Sequence, residues 1–188
     1  MEQKIFTNVM VDLETMGKDS YSAIVSIGAV GFDISNGETG PEFYCNVNLQ
    51  SSLDYGLKVN GSTIMWWLDQ SSEAKKSLTN PVPWNLKDAL TFFSTWLQNN
   101  FNTNEVLLWG NSARFDLGIL QNAYEKTNVE CPWQFRNERC VRTLVSFYPS
   151  IKKEYIHVGV DHNALSDCHK QIGYCSLIWN KLKDQQTK

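Results

Sequence analysis

The stretch "VMVDLETMGKDS", residues 9–20, decides how this chain folds. It begins as the apolar run of a core strand, yet Asp12 and Glu14 interrupt it. Asp is depleted in strands, and an unpaired carboxylate in a protein interior is costly. Residues two apart on a strand face the same way, so the two acids project together. Like charges ~4 Å apart repel by about 4 kcal/mol at an effective dielectric near 20, so the pair needs a proton, a basic neighbour or a metal. Taken alone, Asp-x-Glu at a strand end fits a solvated edge or a salt bridge as well as a site.

Working outward, residues 5–13 form a first strand. "SAIVSIGAVGFDI" (22–34) reads as a strand buried on both faces, and "EFYCNVNL" (42–49) as one with a wet face. The turn signal "NGETG" between the last two predicts an antiparallel meander. After residue 61 the period becomes helical. Short helices are expected over 63–68 and 72–78, and a longer one capped by Asn85, with Leu86, Ala89, Leu90, Phe93 and Leu97 on one face. "EVLLWG" (105–110) is a buried strand, followed by a helix with Phe115, Ile119 and Leu120 inward; the last helix spans about 163–182. This order predicts an α/β domain: a central mixed sheet, antiparallel meander then parallel strands, flanked by helices.

At 188 residues the chain is expected to be one domain, 1–188, with a substantial core. Apolar residues at 42% and seven Trp exclude a disordered chain. A net charge of −3 leaves no basic footprint for wrapping duplex DNA, but is compatible with an enzyme whose bound cations neutralise phosphate. Five cysteines (Cys45, Cys131, Cys140, Cys168, Cys175) without a CxxC pair read as reduced thiols. No signal-peptide pattern opens "MEQKIFTNVMVDLE", and no apolar run reaches membrane-spanning length. The expectation is a cytoplasmic protein with neither a membrane nor a disulfide-linked partner.

Two later stretches bear on the acids. "LLWGNSARFD" runs from the buried strand through a polar loop to Asp116, at a helix start where it also fits a dipole-favoured acid. "HNALSDCH" sets His162 before the last helix and Asp167 within it, beside an apolar stripe. Hard oxygen ligands in this number suit Mg²⁺ or Mn²⁺, two of which can hold the attacking and leaving oxygens of an in-line phosphoryl displacement. A histidine is the side chain that ordinarily exchanges protons near neutral pH, so His162 suits the task of taking a proton from water.

"DLET" at 12–15, Asp116 after "GNSARF", and His-x4-Asp from His162 to Asp167 resemble the DEDDh group of 3′–5′ exonucleases, which have a ribonuclease H-like fold. With "STIMWWLDQSSEAKK", "WQFRNERCVRTL" and "HNALSDCHKQI", the match is similar to the phage exodeoxyribonuclease A branch and a related bacterial exoribonuclease-like group, over nearly the whole chain. The resemblance implies that Asp12, Glu14, Asp116 and Asp167 hold two divalent metals, Mg²⁺ or Mn²⁺. It implies that His162 deprotonates the attacking water. The product would be a 5′-nucleoside monophosphate released from the 3′ end of single-stranded DNA, with RNA as the alternative.

Thr15 and Met16 are expected at the terminal nucleotide. Of Trp66 and Trp67, about 100° apart on a helix, at least one is expected in the core; the second is open between core and stacking on a base, with Trp66 as the substrate-binding candidate. Arg142 is expected to contact phosphate; Arg136, Arg139, Lys152 and Lys153 read as a solvated face. Cys168, His169, Cys175 and His162 lack structural zinc spacing, and the two cysteines read as core thiols. Two other classes remain: a non-catalytic nucleic-acid-binding module, and a globular protein whose acids are scattered salt bridges.

Overall fold

The computed structural model describes residues 5–76, 78–79 and 82–186. The opening stretch becomes β1 (Asn8–Thr15), the middle strand of a five-stranded sheet. β2 (Ile24–Phe32) pairs antiparallel with β1, and β3 (Thr39–Asn46) antiparallel with β2. On the other side β4 (Leu107–Gly110) runs parallel to β1, and β5 (Glu138–Cys140) parallel to β4. The spatial order is β3-β2-β1-β4-β5, the expected mixed sheet with its meander on one side.

The strand period of two divides the core. From β1, Val9, Val11 and Leu13 enter one cluster with α4 (Leu86–Asn100) and α5 (Asp116–Thr127). Met10 enters the opposite cluster with α6 (Val141–Val145) and α8 (Ala164–Gln186). Asp12 and Glu14 continue the Met10 side, so both acids lie on the α8 face of the sheet.

Local signals place most helices. The Asn85 side chain accepts from the Lys87 amide at 3.0 Å and opens α4, whose expected apolar face is buried. Asn163 caps α8 by accepting from the Ser166 amide at 3.0 Å. The short helices α2 (Gly61–Leu68) and α3 (Ser72–Lys76) fall where the period changes, though the expected span of α3 includes Ser77, outside the described residues.

The described residues also hold elements beyond those expected, among them a 3-10 turn over Phe135–Asn137. α1 (Leu49–Asp54) buries serines instead of an apolar stripe: Ser52 donates to the Ile24 carbonyl at 2.9 Å, and Ser51 accepts from the Leu86 amide at 2.9 Å. β5, α6 and α7 (Pro149–Glu154) are three to six residues long, too short to show a period. The third strand also ends at Asn46 instead of continuing to 49, because α1 begins there.

Candidate active site

Two glycines bring distant elements onto the end of β1. Gly28 lies opposite Asp12, and a Cβ there would lie 2.5 Å from the Ala164 carbonyl carbon and 2.6 Å from the Leu165 nitrogen. Its bare backbone therefore lets the first turn of α8 settle on the sheet, where Cys168 contacts the Met10 and Gly28 carbonyls. Gly110, the last residue of β4, similarly leaves room for Asp116, whose Cβ would be 3.0 Å from a side chain at that position.

Asp116 does not cap its own helix. Its carboxylate accepts from the Leu13 and Ser112 amides, both at 3.3 Å, tying β1 to the loop after β4. Asp12 accepts from the buried amide of Gln171 at 2.7 Å. Gln171 stands one helical turn beyond Asp167, so it shares that face of α8. Asp167 accepts from the His162 backbone amide at 3.2 Å, and the His162 backbone is left-handed at φ 62°. Non-glycine residues held there cost about 1–3 kcal/mol and cluster at functional sites.

Glu14, His162 and Asp167 thereby offer one ligand atom each within 4.8 Å of one another. With Asp12 they line a hollow of about 280 Å³ that also includes Asn111, Lys152 and Gln171. Burial, then Asp116, Glu14 and Asp167, raise the Asp12 carboxyl well above the usual range. Burial, then Asp167 and Asp116, push Glu14 up to about 8. Burial pushes Asp116 to about 7 against the pull of its amide donors. Asp167 is raised by burial, with Lys170 and the His162 amide opposing.

These acids thus repel one another in a weakly solvated place. Hard oxygen donors surround the hollow, and the side-chain oxygens of Gln171 and Asn111 are buried with no hydrogen-bond partner. Such a set fits a divalent cation, which relieves the repulsion that otherwise favours protons.

A cleft of about 210 Å³ adjoins the acids, lined by Glu14, Thr15, Thr63, Trp66 and Phe115 among others. Trp67 is 2% exposed, and its indole donates to the Thr15 carbonyl at 3.0 Å, pinning the end of β1. Trp66 is 39% exposed and meets the His162 ring edge-to-face at 4.8 Å. Both rings line the cleft, Trp67 from the core and Trp66 with part of its surface exposed. The Thr15 hydroxyl is turned back onto the Gly17 carbonyl at 2.8 Å. Met16 does not line the cleft: the chain leaves the sheet after a register shift between Glu14 and Thr15, and Met16 packs in the core.

Arg142 lies across the loop, donating to the Asn111 carbonyl at 2.6 Å. Lys152, expected on a solvated face, lines the acidic hollow, because the short α7 places it beside α8. Cys168 and Cys175 are core residues, and His169 pairs with Glu42 at 2.9 Å, so no zinc set forms from them. Gln171, Asn111 and Phe115 had not been singled out for the site. Only Gln171 carried a signal, its spacing of four from Asp167.

A mixed sheet of this order, with carboxylates from β1, α5 and α8 meeting at one strand end, defines the DEDDh class of 3′–5′ exonucleases with the ribonuclease H-like fold. The chain belongs to the 3′–5′ exoribonuclease Rv2179c-like domain family, whose model matches residues 7–179. It is 24% identical to an exodeoxyribonuclease of Enterobacteria phage T4, over 87% of this chain and 85% of that protein. Its fold is that of the zinc-bound Escherichia coli ExoI–ssDNA complex, with a TM-score of 0.67 and 13% identity over 96% of this chain. The chain spans 42% of that ExoI chain. A 3′-exonuclease solved for its recognition of the histone mRNA stem-loop has a TM-score of 0.64 at 8% identity, over 95% of this chain and 84% of its own.

Proposed function

We propose that this chain is a single-domain, metal-dependent 3′–5′ exonuclease that removes 5′-nucleoside monophosphates from single-stranded 3′ ends. The observation that carries the reading is the meeting of Glu14, His162 and Asp167 within 4.8 Å, beside Asp12 and the Trp66 cleft. Asp12, Glu14, Asp116 and Asp167 would hold two ions, Mg²⁺ or Mn²⁺. When bound, these supply charge to polarise the scissile phosphate and steady both reacting oxygens.

The chain's own groups do the rest. Among the described residues the His162 ring nitrogens make no hydrogen bond, so one is available to take the proton of the attacking water. Trp66 holds the ring edge-on and offers a face to the terminal base. Gln171 holds Asp12 by an N–H, which prefers the ionised carboxylate as acceptor.

DNA is the first substrate reading, supported by the phage exodeoxyribonuclease similar along most of both chains. RNA is the second, supported by the family's exoribonuclease description. The unpaired state of all five cysteines fits the proposed cytoplasmic setting.

Side-by-side digestion of 5′-labelled single-stranded DNA, duplex DNA and RNA tests the proposal. Mg²⁺ or Mn²⁺ is expected to support stepwise shortening of a single-stranded substrate and EDTA to stop it. His162→Ala should slow release by about 10²–10⁴-fold while oligonucleotide binding persists. Intact DNA and RNA after incubation with Mn²⁺ would end the proposal and favour a binding module.

A further inference from the structure

Beside the nucleotide cleft lies a larger cavity, about 610 Å³, lined by Lys18, Ser20, Ser112, Arg114, Phe115 and Arg142 among others. Three cations converge there in a chain whose net charge is −3. Among the described residues none of the three is in an ion pair with an acid. The one carboxylate in the wall, Asp19, is engaged in its own turn, accepting from the Tyr21 amide at 2.9 Å.

The walls are held in place. Asp19 also donates its amide to Ser22 Oγ at 3.0 Å, and Asn122 of α5 donates to the Ser20 carbonyl. Arg142 is anchored through the Asn111 carbonyl at 2.6 Å. Its Nε is used there, leaving the terminal guanidinium nitrogens as donors for an anion.

We propose that this cavity receives the substrate strand on the 5′ side of the scissile bond, with Lys18, Arg114 and Arg142 on its phosphates and Phe115 beneath a base. The inference rests on the exonuclease reading and adds the path of the strand. Lys18 and Phe115 line both the nucleotide cleft and this cavity, so the two are continuous. The acidic hollow is unsuited to the next phosphate, because the carboxylates of Asp12, Glu14 and Asp167 line it and the cations they would bind serve the scissile group. The opposite flank is less suited: Lys170 is paired with Asp161 at 2.8 Å, and Lys152 lies over the Tyr174 ring. Cations along a groove with an aromatic platform are how single strands are held without sequence preference.

The test compares a hexanucleotide with the p-nitrophenyl ester of thymidine 5′-monophosphate, in which nitrophenol replaces the upstream strand. Arg114→Ala is the variant, since its side chain is exposed and lines this cavity but not the nucleotide cleft, whereas Lys18 lines both and removing Arg142 would also free the Asn111 carbonyl. The ratio of kcat/KM for hexanucleotide over ester should fall at least tenfold. In Ca²⁺, the salt slope of log binding constant for a labelled oligonucleotide should flatten by about 0.7, the share of one phosphate left without its cation. If wild type cleaves both substrates and the variant keeps both ratio and slope, the strand path is wrong while the exonuclease reading stands. Equal losses on both substrates would likewise overturn it. If wild type cleaves neither, both fall together.

Discussion

Trp66 and Trp67 are neighbours in sequence with opposite fates. Their rings meet each other at 5.0 Å, and both face His162, yet one is buried in the core and the other is partly exposed. Replacing each with Ala should separate the two roles. Trp66→Ala removes a stacking surface of about 1–3 kcal/mol per base, so KM for an oligonucleotide should rise tenfold or more with the melting temperature nearly unchanged. Trp67→Ala should cost about 3–5 kcal/mol of stability, since it leaves a void and frees the Thr15 carbonyl. Thermal unfolding with steady-state kinetics on both variants checks this; comparable melting losses would place Trp66 in the core as well. Helical spacing places at least one of them in the core. Which one turned inward depended on α2 lying against the end of β1.

At the scale of elements, the site is a consequence of how closely α8 approaches β2. Gly28 Cα stands where any side chain would meet the backbone of Ala164 and Leu165. Backbone cannot swing aside as a side-chain tip can, so Gly28→Ala should lift the first turn of α8 and carry Asp167 and His162 away from Glu14. The expected result is at least a tenfold fall in kcat and a stability loss of about 1–3 kcal/mol. Unchanged kcat in a folded Gly28→Ala protein would show that the helix start tolerates displacement. Helical periodicity reveals α8 and its apolar stripe, and the Asp12–Glu14 pair lies on a strand legible from its apolar run. The docking distance between them was not legible, because a glycine inside an apolar run looks like any small residue.

For the molecule as a whole, the acidic hollow opposes folding wherever its carboxylates must ionise without a cation. Glu14 is raised from its ordinary 4.5 to about 8, and Asp116 from 3.8 to about 7. Between those limits the folded chain holds more protons than the unfolded one. Their stabilising protonation is complete below the ordinary values and is lost as pH rises through 7 and 8. The metal-free protein should therefore lose melting temperature from pH 5 to pH 8. Mg²⁺ or Mn²⁺ at a hundredfold excess over its Kd should restore about 2.7 kcal/mol at pH 8, and less at pH 6, where protons compete for the same carboxylates. Asp167→Asn, with one repelling charge removed, should melt at or above wild type at pH 8 without metal while losing nucleotide release. Differential scanning calorimetry in EDTA and in metal decides the matter; a variant that melts several degrees lower would make Asp167 structural.

The sequence by itself determined the meander, the central acidic strand and the long final helix, and it singled out Asp12, Glu14, Asp116, His162 and Asp167 as candidates. It did so because strand and helix periods, turn signals and paired charges are written in local order. Only the tertiary structure decided which tryptophan is buried and that Met16 turns into the core. Only it showed that Gln171 braces Asp12 and that Lys18, Arg114 and Arg142 share one cavity. Those outcomes depend on contacts between segments tens to more than a hundred residues apart, set by packing distance, and no local pattern encodes that distance.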